Sequence, residues 1–199
     1  MCASYTRIQL ENYLKTIVIP PKSKVLDVGG SQLPINNRIK QENIISSEFR
    51  ILDLEKPHEC RKKPDYIGDV QKVSKELQEN CIKHNIAFCI EVSEYWYNPY
   101  QALKNIACFL KKGGTLYISF HLFYPIHNPV EQDYLRYTEN GAKKLLEKTG
   151  FKVMRFIPRL EKKDFYSFYN VAVSLNGMRP AKDYNNHNLV GCIIEAKKL

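Results

Sequence analysis

The 199-residue sequence has no C-x-x-C pair, no apolar run near the roughly 20 residues a membrane span needs, and no Gly/Ser-rich linker. Each absence excludes a class. The six cysteines (Cys2, Cys60, Cys81, Cys89, Cys108 and Cys192) are scattered without regular spacing, so neither a zinc ribbon nor a secreted disulfide framework is expected. They read as reduced thiols, several of them buried in strands, and no metal site is expected. The N-terminus lacks a signal-peptide core, which with the missing span points to a soluble cytoplasmic protein. No repeat or low-complexity tract divides the chain, and 44% apolar residues suffice for one core, so residues 1–199 are expected to form a single domain.

Acidic residues are also scarce, but only in the second half. Residues 1–100 carry 14 Lys/Arg against 13 Asp/Glu, whereas residues 101–199 carry 16 against 8, so the second half supplies +8 of the formal +9. Such a half can attract phosphates, nucleic acid or acidic sugars through its long-range field. The lysines stand singly or in pairs and form no long basic run, which favours a solvated surface over a nucleic-acid track.

What is present is an alternation of short apolar runs and helical patterns. Residues 4–18 show a helical apolar side (Ile8, Leu10, Tyr13, Leu14, Ile17) closed by Pro20-Pro21. Strand-like runs follow at 24–29, 49–54, 66–67, 86–92, 115–120, 151–157 and 189–196. Helical patterns fall between them at 71–83, 99–110, 138–149 and, rich in aromatics, 164–175; Lys112-Gly113-Gly114 reads as a turn, Thr138 as an N-cap and Gly150 as a helix stop. This grammar predicts an α/β fold: an open, mostly parallel seven-stranded sheet with helices on both faces. Ligands in such folds bind beyond the carboxyl ends of the central strands.

The candidate site residues fall at those ends. The first strand runs straight into two glycines in Val25-Leu26-Asp27-Val28-Gly29-Gly30-Ser31, as needed where backbone passes close to a ligand. Alone, this motif suits an adenosine cofactor, a dinucleotide or a tight turn with no ligand. Asp53 ends the second strand, 24 residues past Gly29, where a carboxylate can accept from both hydroxyls of a ribose. Asp69 ends the third, placed to accept from an adenine amino group while Val70 packs on the ring. For one acidic residue, capping the next helix is the ordinary role; three such strand ends in a row point to a nucleoside site.

At this point the chain resembles the class I S-adenosylmethionine-dependent methyltransferases, in the group similar to methyltransferase type 11 domains, over residues 23–157. The pieces are Val25–Gly30, Ile51–Leu54 followed by Pro64–Val70, Cys89–Glu94, Asn98–Ser119 and Asp133–Thr138. The resemblance implies a Rossmann-like methyltransferase domain: an N-terminal helix (1–22), a cofactor-binding half (23–120), and an acceptor-side half with lid and final strands (121–199). It also implies S-adenosyl-L-methionine as cofactor. Asp27, Gly29, Gly30 and Ser31 would surround the methionine part, Asp53 and Leu54 the ribose, and Asp69 with Val70 the adenine. Glu91 and Val92 would lie beside the cofactor.

The chain departs from the pattern in three places. Ser31 stands where the loop usually has a second glycine and Leu33 at the third position, which argues against the pyrophosphate cradle of a dinucleotide. Glu94-Tyr95 stands where the family often has Glu-His, removing one acid/base candidate. Asn98-Pro99-Tyr100 is similar to the Asn-Pro-Pro-Tyr signature of amine-modifying methyltransferases but lacks the first proline and reads as a helix start.

For the acceptor side, the stretch holding His121, Tyr124, His127, Glu131, Asp133, Tyr134, Arg136 and Tyr137 is the place to look. The resemblance implies a lid over the transferred methyl. His127 is the candidate base or acceptor-orienting group, Asp133 its partner and Arg136 an anchor for substrate or loop. Tyr95, Trp96 and Tyr97 are candidates to wall the pocket; Phe165, Tyr166, Phe168 and Tyr169 read as core cover, substrate cap or dimer surface. The expected partner is a small-molecule or glycan-type acceptor, an anionic one included, methylated at oxygen. The alternatives are an RNA-modifying methyltransferase, motivated by the basic half, and a cofactor-binding protein without turnover.

Overall fold

The computed structural model describes residues 4–160 and 189–199. In chain order the elements are α1 (Tyr5–Leu14), β1 (Lys24–Val28), β2 (Glu48–Asp53), β3 (Tyr66–Ile67), α2 (Lys75–Asn80), β4 (His84–Cys89), α3 (Pro99–Phe109), β5 (Leu110–His121), α4 (Glu139–Lys148), β6 (Phe151–Leu160) and β7 (Leu189–Lys198). One seven-stranded sheet has the order β3-β2-β1-β4-β5-β7-β6. β1 through β5 are mutually parallel, and β7 pairs antiparallel with both β5 and β6. The open α/β sheet read from the sequence is therefore the one observed, with β7 and β6 as its antiparallel part.

Both faces of the central strands are buried, which explains their near-continuous apolar runs. In β4, Ala87 and Cys89 join the core under α3 and α4, where Leu103, Ile106, Phe109 and Leu146 pack, while Ile86 and Phe88 face α1 through Leu10 and Leu14. Helices thus cover both faces. Pro158 in β6 needs no ladder donor because β6 lies at the sheet edge.

Three boundaries differ from expectation for local reasons. α1 ends at Leu14 and not near residue 18, because Thr16-Ile17-Val18-Ile19 is a β-branched run that favours extended backbone. α2 begins only at Lys75, since the Ser74 hydroxyl accepts from the Leu77 N–H and fixes the start there. The Lys112-Gly113-Gly114 turn is absorbed into β5, where the pairing with β4 slips from His84↔Leu110 to Ile86↔Thr115 around Gly113, whose φ is +72°. Asn98 and Pro99 open α3, the asparagine side chain accepting from the Gln101 N–H. The helical candidate at 164–175 and its Phe165, Tyr166, Phe168, Tyr169 cluster lie outside the described residues. Among the described residues, no helix is long and apolar enough to cross a membrane, and the five cysteines form no disulfide.

Candidate active site

The carboxyl ends of the parallel strands form one rim, and a cleft opens along it, with a volume of about 880 Å³. Gly29 follows β1, Asp53 ends β2, Asp69 follows β3, Glu91 follows β4 and His121 ends β5. Gly29, Asp53, Leu54, Asp69, Val70, Glu91 and Val92 line this cleft, and so do Glu94, Tyr95, Tyr124 and His127 from the loops after β4 and β5. Cofactor-type and acceptor-type candidates therefore share one cavity. Asp27 and Gly30 border a smaller pocket of about 50 Å³, whose lining shares Gly29 and Glu91 with the cleft.

The bend after β1 needs both glycines. Gly29 has φ +74°, and a Cβ there would lie 2.5 Å from Val92 Cγ2; a Cβ on Gly30 would lie 2.1 Å from Asp27 Oδ2. Between β1 and β2 the chain forms two single 3-10 turns, Ile35–Asn37 and Gln41–Asn43, where a doubly wound fold ordinarily has a full helix. The buried Asp27 carboxylate caps the first of these, accepting from the Ile35 N–H at 2.7 Å. Burial outweighs that bond and the nearby Arg38, and pushes Asp27 up to about 7.

Asp53 is held by the same bend. Its Oδ2 accepts from Ser31 N–H at 3.1 Å and its Oδ1 from Leu54 N–H at 2.8 Å, so each oxygen keeps a lone pair for a ligand. Ser31 itself sits behind the cleft; its carbonyl accepts from the Arg61 and Lys62 N–H groups, and among the described residues its buried hydroxyl has no hydrogen-bond partner. The Asp69 Oδ1 accepts from the Gln71 N–H at 2.8 Å, an Asx-type turn that fixes the carboxylate at the cleft wall.

Beyond the cofactor-type residues lies a charge network that the sequence does not announce. Glu91 has φ +61°, a left-handed conformation costing roughly 1–2 kcal/mol for a side-chain-bearing residue. It is locked there: its N–H donates to Ser119 Oγ, that hydroxyl donates to Glu91 Oε1, and the buried Arg159 donates to the same oxygen at 2.6 Å. Burial favours a neutral Glu91, but His121, Arg159 and Arg7 outweigh it and hold the carboxyl well below its usual range. His121 lies with its Nε2 3.4 Å from Glu91 Oε1 and 3.3 Å from Glu94 Oε1. Burial works against its protonation, yet the two carboxylates prevail and raise it to about 9. Glu94 is fully buried, and its Oε1 lies 3.5 Å from His127 Nδ1.

The predicted catalytic residues separate into two groups. His127 lines the cleft beside Glu94. Asp133 and Arg136 do not line it; they pair with each other through two carboxylate–guanidinium bonds. Arg136 also donates to the carbonyls of Tyr124 and Pro125, while Asp133 accepts from the His127 N–H at 2.7 Å. The guanidinium holds the Asp133 carboxyl below its usual range. This pair fixes the loop that carries Tyr124 and His127. Tyr95, Trp96 and Tyr97 all line the cleft, Trp96 almost fully buried and Tyr97 half exposed. Sequence reading missed Arg159 and gave Glu94 no role; the burial of both shows only in the folded chain.

No family model matches the chain, and no curated protein matches its sequence. Solved structures do match. The chain aligns with a chain in the complex of the Haloferax volcanii Trm112 methyltransferase activator and a candidate methyltransferase, with a TM-score of 0.63 and 13% identity, covering 98% of this chain and 89% of that one. It aligns with the [4+2]-cyclase SpnF at a TM-score of 0.61 and 13% identity, covering 96% and 80%. It also aligns with 1,6-didemethyltoxoflavin-N1-methyltransferase from Burkholderia thailandensis, solved with its substrate and S-adenosylhomocysteine, at 0.59 and 14%, covering 97% and 76%. The fold is the one these proteins have in common. That a cyclase has it too means the reaction must be read from the site.

Proposed function

We propose, with that fold as the premise, that the chain is an S-adenosylmethionine-dependent methyltransferase, acting at the oxygen of a small-molecule or glycan-type acceptor. The observation that carries this reading is that Asp53 and Asp69 open on the same cleft as Glu94 and His127. Asp53 would take the ribose hydroxyls with its remaining lone pairs, and Asp69 the adenine amino group, with Val70 and Val92 packing on the rings. The Gly29-Gly30 bend leaves room for the amino-acid tail, and the buried Asp27 and Ser31 brace that bend from behind. When bound, the cofactor supplies a methyl group on a sulfonium that is already an activated leaving group.

What remains for the protein is alignment, which can contribute about 7–11 kcal/mol. His127, with Glu94 behind it, would orient the acceptor hydroxyl and receive its proton. Asp133 and Arg136 serve as positioning residues that hold the His127 loop. Ring faces such as that of Tyr95 would favour the sulfonium by about 0.5–2 kcal/mol. A cleft of about 880 Å³ suits the cofactor plus a small acceptor. The unpaired state of the five cysteines among the described residues fits a cytoplasmic protein.

A labelled-methyl transfer assay over sugar, amine and RNA panels tests the reading. Transfer to a hydroxyl compound, abolished by Asp53→Ala, supports it. Transfer confined to RNA, with binding that weakens steeply as salt rises, replaces the acceptor class. Cofactor binding without transfer to any acceptor overturns turnover itself.

A further inference from the structure

Three side chains at the acceptor end of the cleft come together in a way that hydrogen bonding does not explain. Glu94 sits on the 3-10 turn Ser93–Tyr95 after β4, His121 ends β5, and His127 lies in the loop beyond it. Glu94 Oε1 is 3.3 Å from His121 Nε2 and 3.5 Å from His127 Nδ1, and the three donor atoms lie within 4.8 Å of one another. All three atoms are buried, and among the described residues none has a hydrogen-bond partner; Glu94 Oε2 is equally without one there. Close approach without N–H···O alignment means the lone pairs do not satisfy one another. Leaving four buried polar atoms without aligned hydrogen bonds is costly, since each unsatisfied polar group costs about 1–3 kcal/mol.

We propose that Glu94, His121 and His127 form a binding site for a divalent transition-metal ion, zinc in the first place, at the acceptor end of the cleft. Metal bonds of about 2.0–2.2 Å to nitrogen and oxygen in a tetrahedron set its edges at about 3.3–3.5 Å, the spacing seen from Glu94 Oε1 to each histidine. Two imidazoles with one carboxylate is a donor set that suits zinc or a neighbouring transition ion, whereas magnesium and calcium prefer all-oxygen shells. Glu91 is close to His121 but is not a free donor. Its Oε1 already accepts from Arg159 and Ser119, and it lies 3.4 Å from the same His121 Nε2, where it adds negative charge beside the site without being one of its ligands. Tyr124 packs against both imidazoles, with ring centroids 4.6 Å from His121 and 4.4 Å from His127.

The site rests on the reading of this part of the cleft as the acceptor end, and it changes the role of His127 from proton acceptor to metal ligand. Three protein donors leave one tetrahedral position, and two of the three residues, Glu94 and His127, line the cleft. An acceptor hydroxyl binding there would have its pKa lowered by the cation. It would lose its proton to solvent and attack the methyl carbon. A carbon–oxygen bond forms, the carbon–sulfur bond breaks with its electron pair going to sulfur, and the products are the methyl ether, S-adenosylhomocysteine and one released proton.

The test is zinc titration of the full chain after chelator treatment, by calorimetry and by metal analysis after dialysis, with S-adenosylhomocysteine binding measured in parallel. The expected result is one zinc per wild-type chain. His127→Ala, at a partly exposed position that should not disturb folding, is expected to weaken zinc binding roughly 100-fold. S-adenosylhomocysteine affinity should stay within about threefold, since His127 lies outside the carboxylates that bind it. Cobalt in place of zinc should give a tetrahedral absorption spectrum that His127→Ala removes. Absence of zinc binding, or zinc binding unchanged by both His127→Ala and Glu94→Gln, overturns the site. Zinc bound as expected but no S-adenosylhomocysteine binding would retain the metal site and sink the cofactor reading instead.

Discussion

Asp27→Asn is expected to stabilise the ligand-free protein at neutral and alkaline pH and to change it little in acid. The carboxyl is 4% exposed, and its raised value of about 7 replaces the ordinary 3.8 because burial disfavours the charge more than Ile35 N–H and Arg38 support it. A raised folded pKa means the native state keeps a proton that the unfolded chain releases. The favourable contribution is therefore complete below pH 3.8 and is lost as pH rises through about 7. At 1.36 kcal/mol per unit the full loss is about 4 kcal/mol, of which roughly 2.5 kcal/mol falls between pH 5 and 8. Asparagine keeps an acceptor for the Ile35 N–H and carries no charge, so it escapes that loss. Urea unfolding of both proteins at pH 5, 6, 7 and 8 measures it: the stability difference should grow in favour of the variant by about that amount. A difference constant across the range would mean that Asp27 ionises as an exposed carboxylate does, and the description of the buried bend would be wrong.

Two further substitutions probe the same rim. Arg159→Met leaves Glu91 without its shortest partner inside the protein, and chemical unfolding should show a loss of about 3–5 kcal/mol, part of it recovered in Arg159→Met/Glu91→Gln; a loss under about 1 kcal/mol would show that His121 alone sustains the carboxylate. Gly29→Ala combines left-handed strain with a 2.5 Å approach to Val92 and is expected to destabilise by about 2–4 kcal/mol. Gly113→Ala, with φ +72° and open space around it, carries the strain alone, so equal losses at both positions would refute the role of the close contact.

The first four strands were legible because each is a short apolar run met within two residues by glycine or a carboxylate, and the strand-end positions of Gly29, Asp53 and Asp69 were legible for the same reason. Thr138 could be read as a cap for the same reason, being a short polar side chain just ahead of a helical pattern. The acceptor end was legible only as a list. His121 and His127 carry no spacing that distinguishes a ligand from a packed histidine, and Glu94, 27 residues before His121, becomes their neighbour only when β4 and β5 pair. Arg159 reaches Glu91 across 68 residues, so no local pattern could connect them. Asp133 reads from the sequence as a partner of His127 and Arg136 as an anchor for substrate or loop; their bidentate pairing with each other follows from a turn geometry that composition does not encode.

The central claim is an adenosine site made by the strand ends, and the most direct measurement is calorimetric titration of wild type and Asp53→Ala with S-adenosylmethionine, S-adenosylhomocysteine and NAD. The expected result is binding of the first two by wild type, no binding of NAD, and weakening by roughly 100-fold in Asp53→Ala, the equivalent of one or two lost hydrogen bonds to a charged acceptor. Binding of NAD in preference to S-adenosylhomocysteine, or an Asp53→Ala protein that binds S-adenosylhomocysteine as well as wild type, would contradict it.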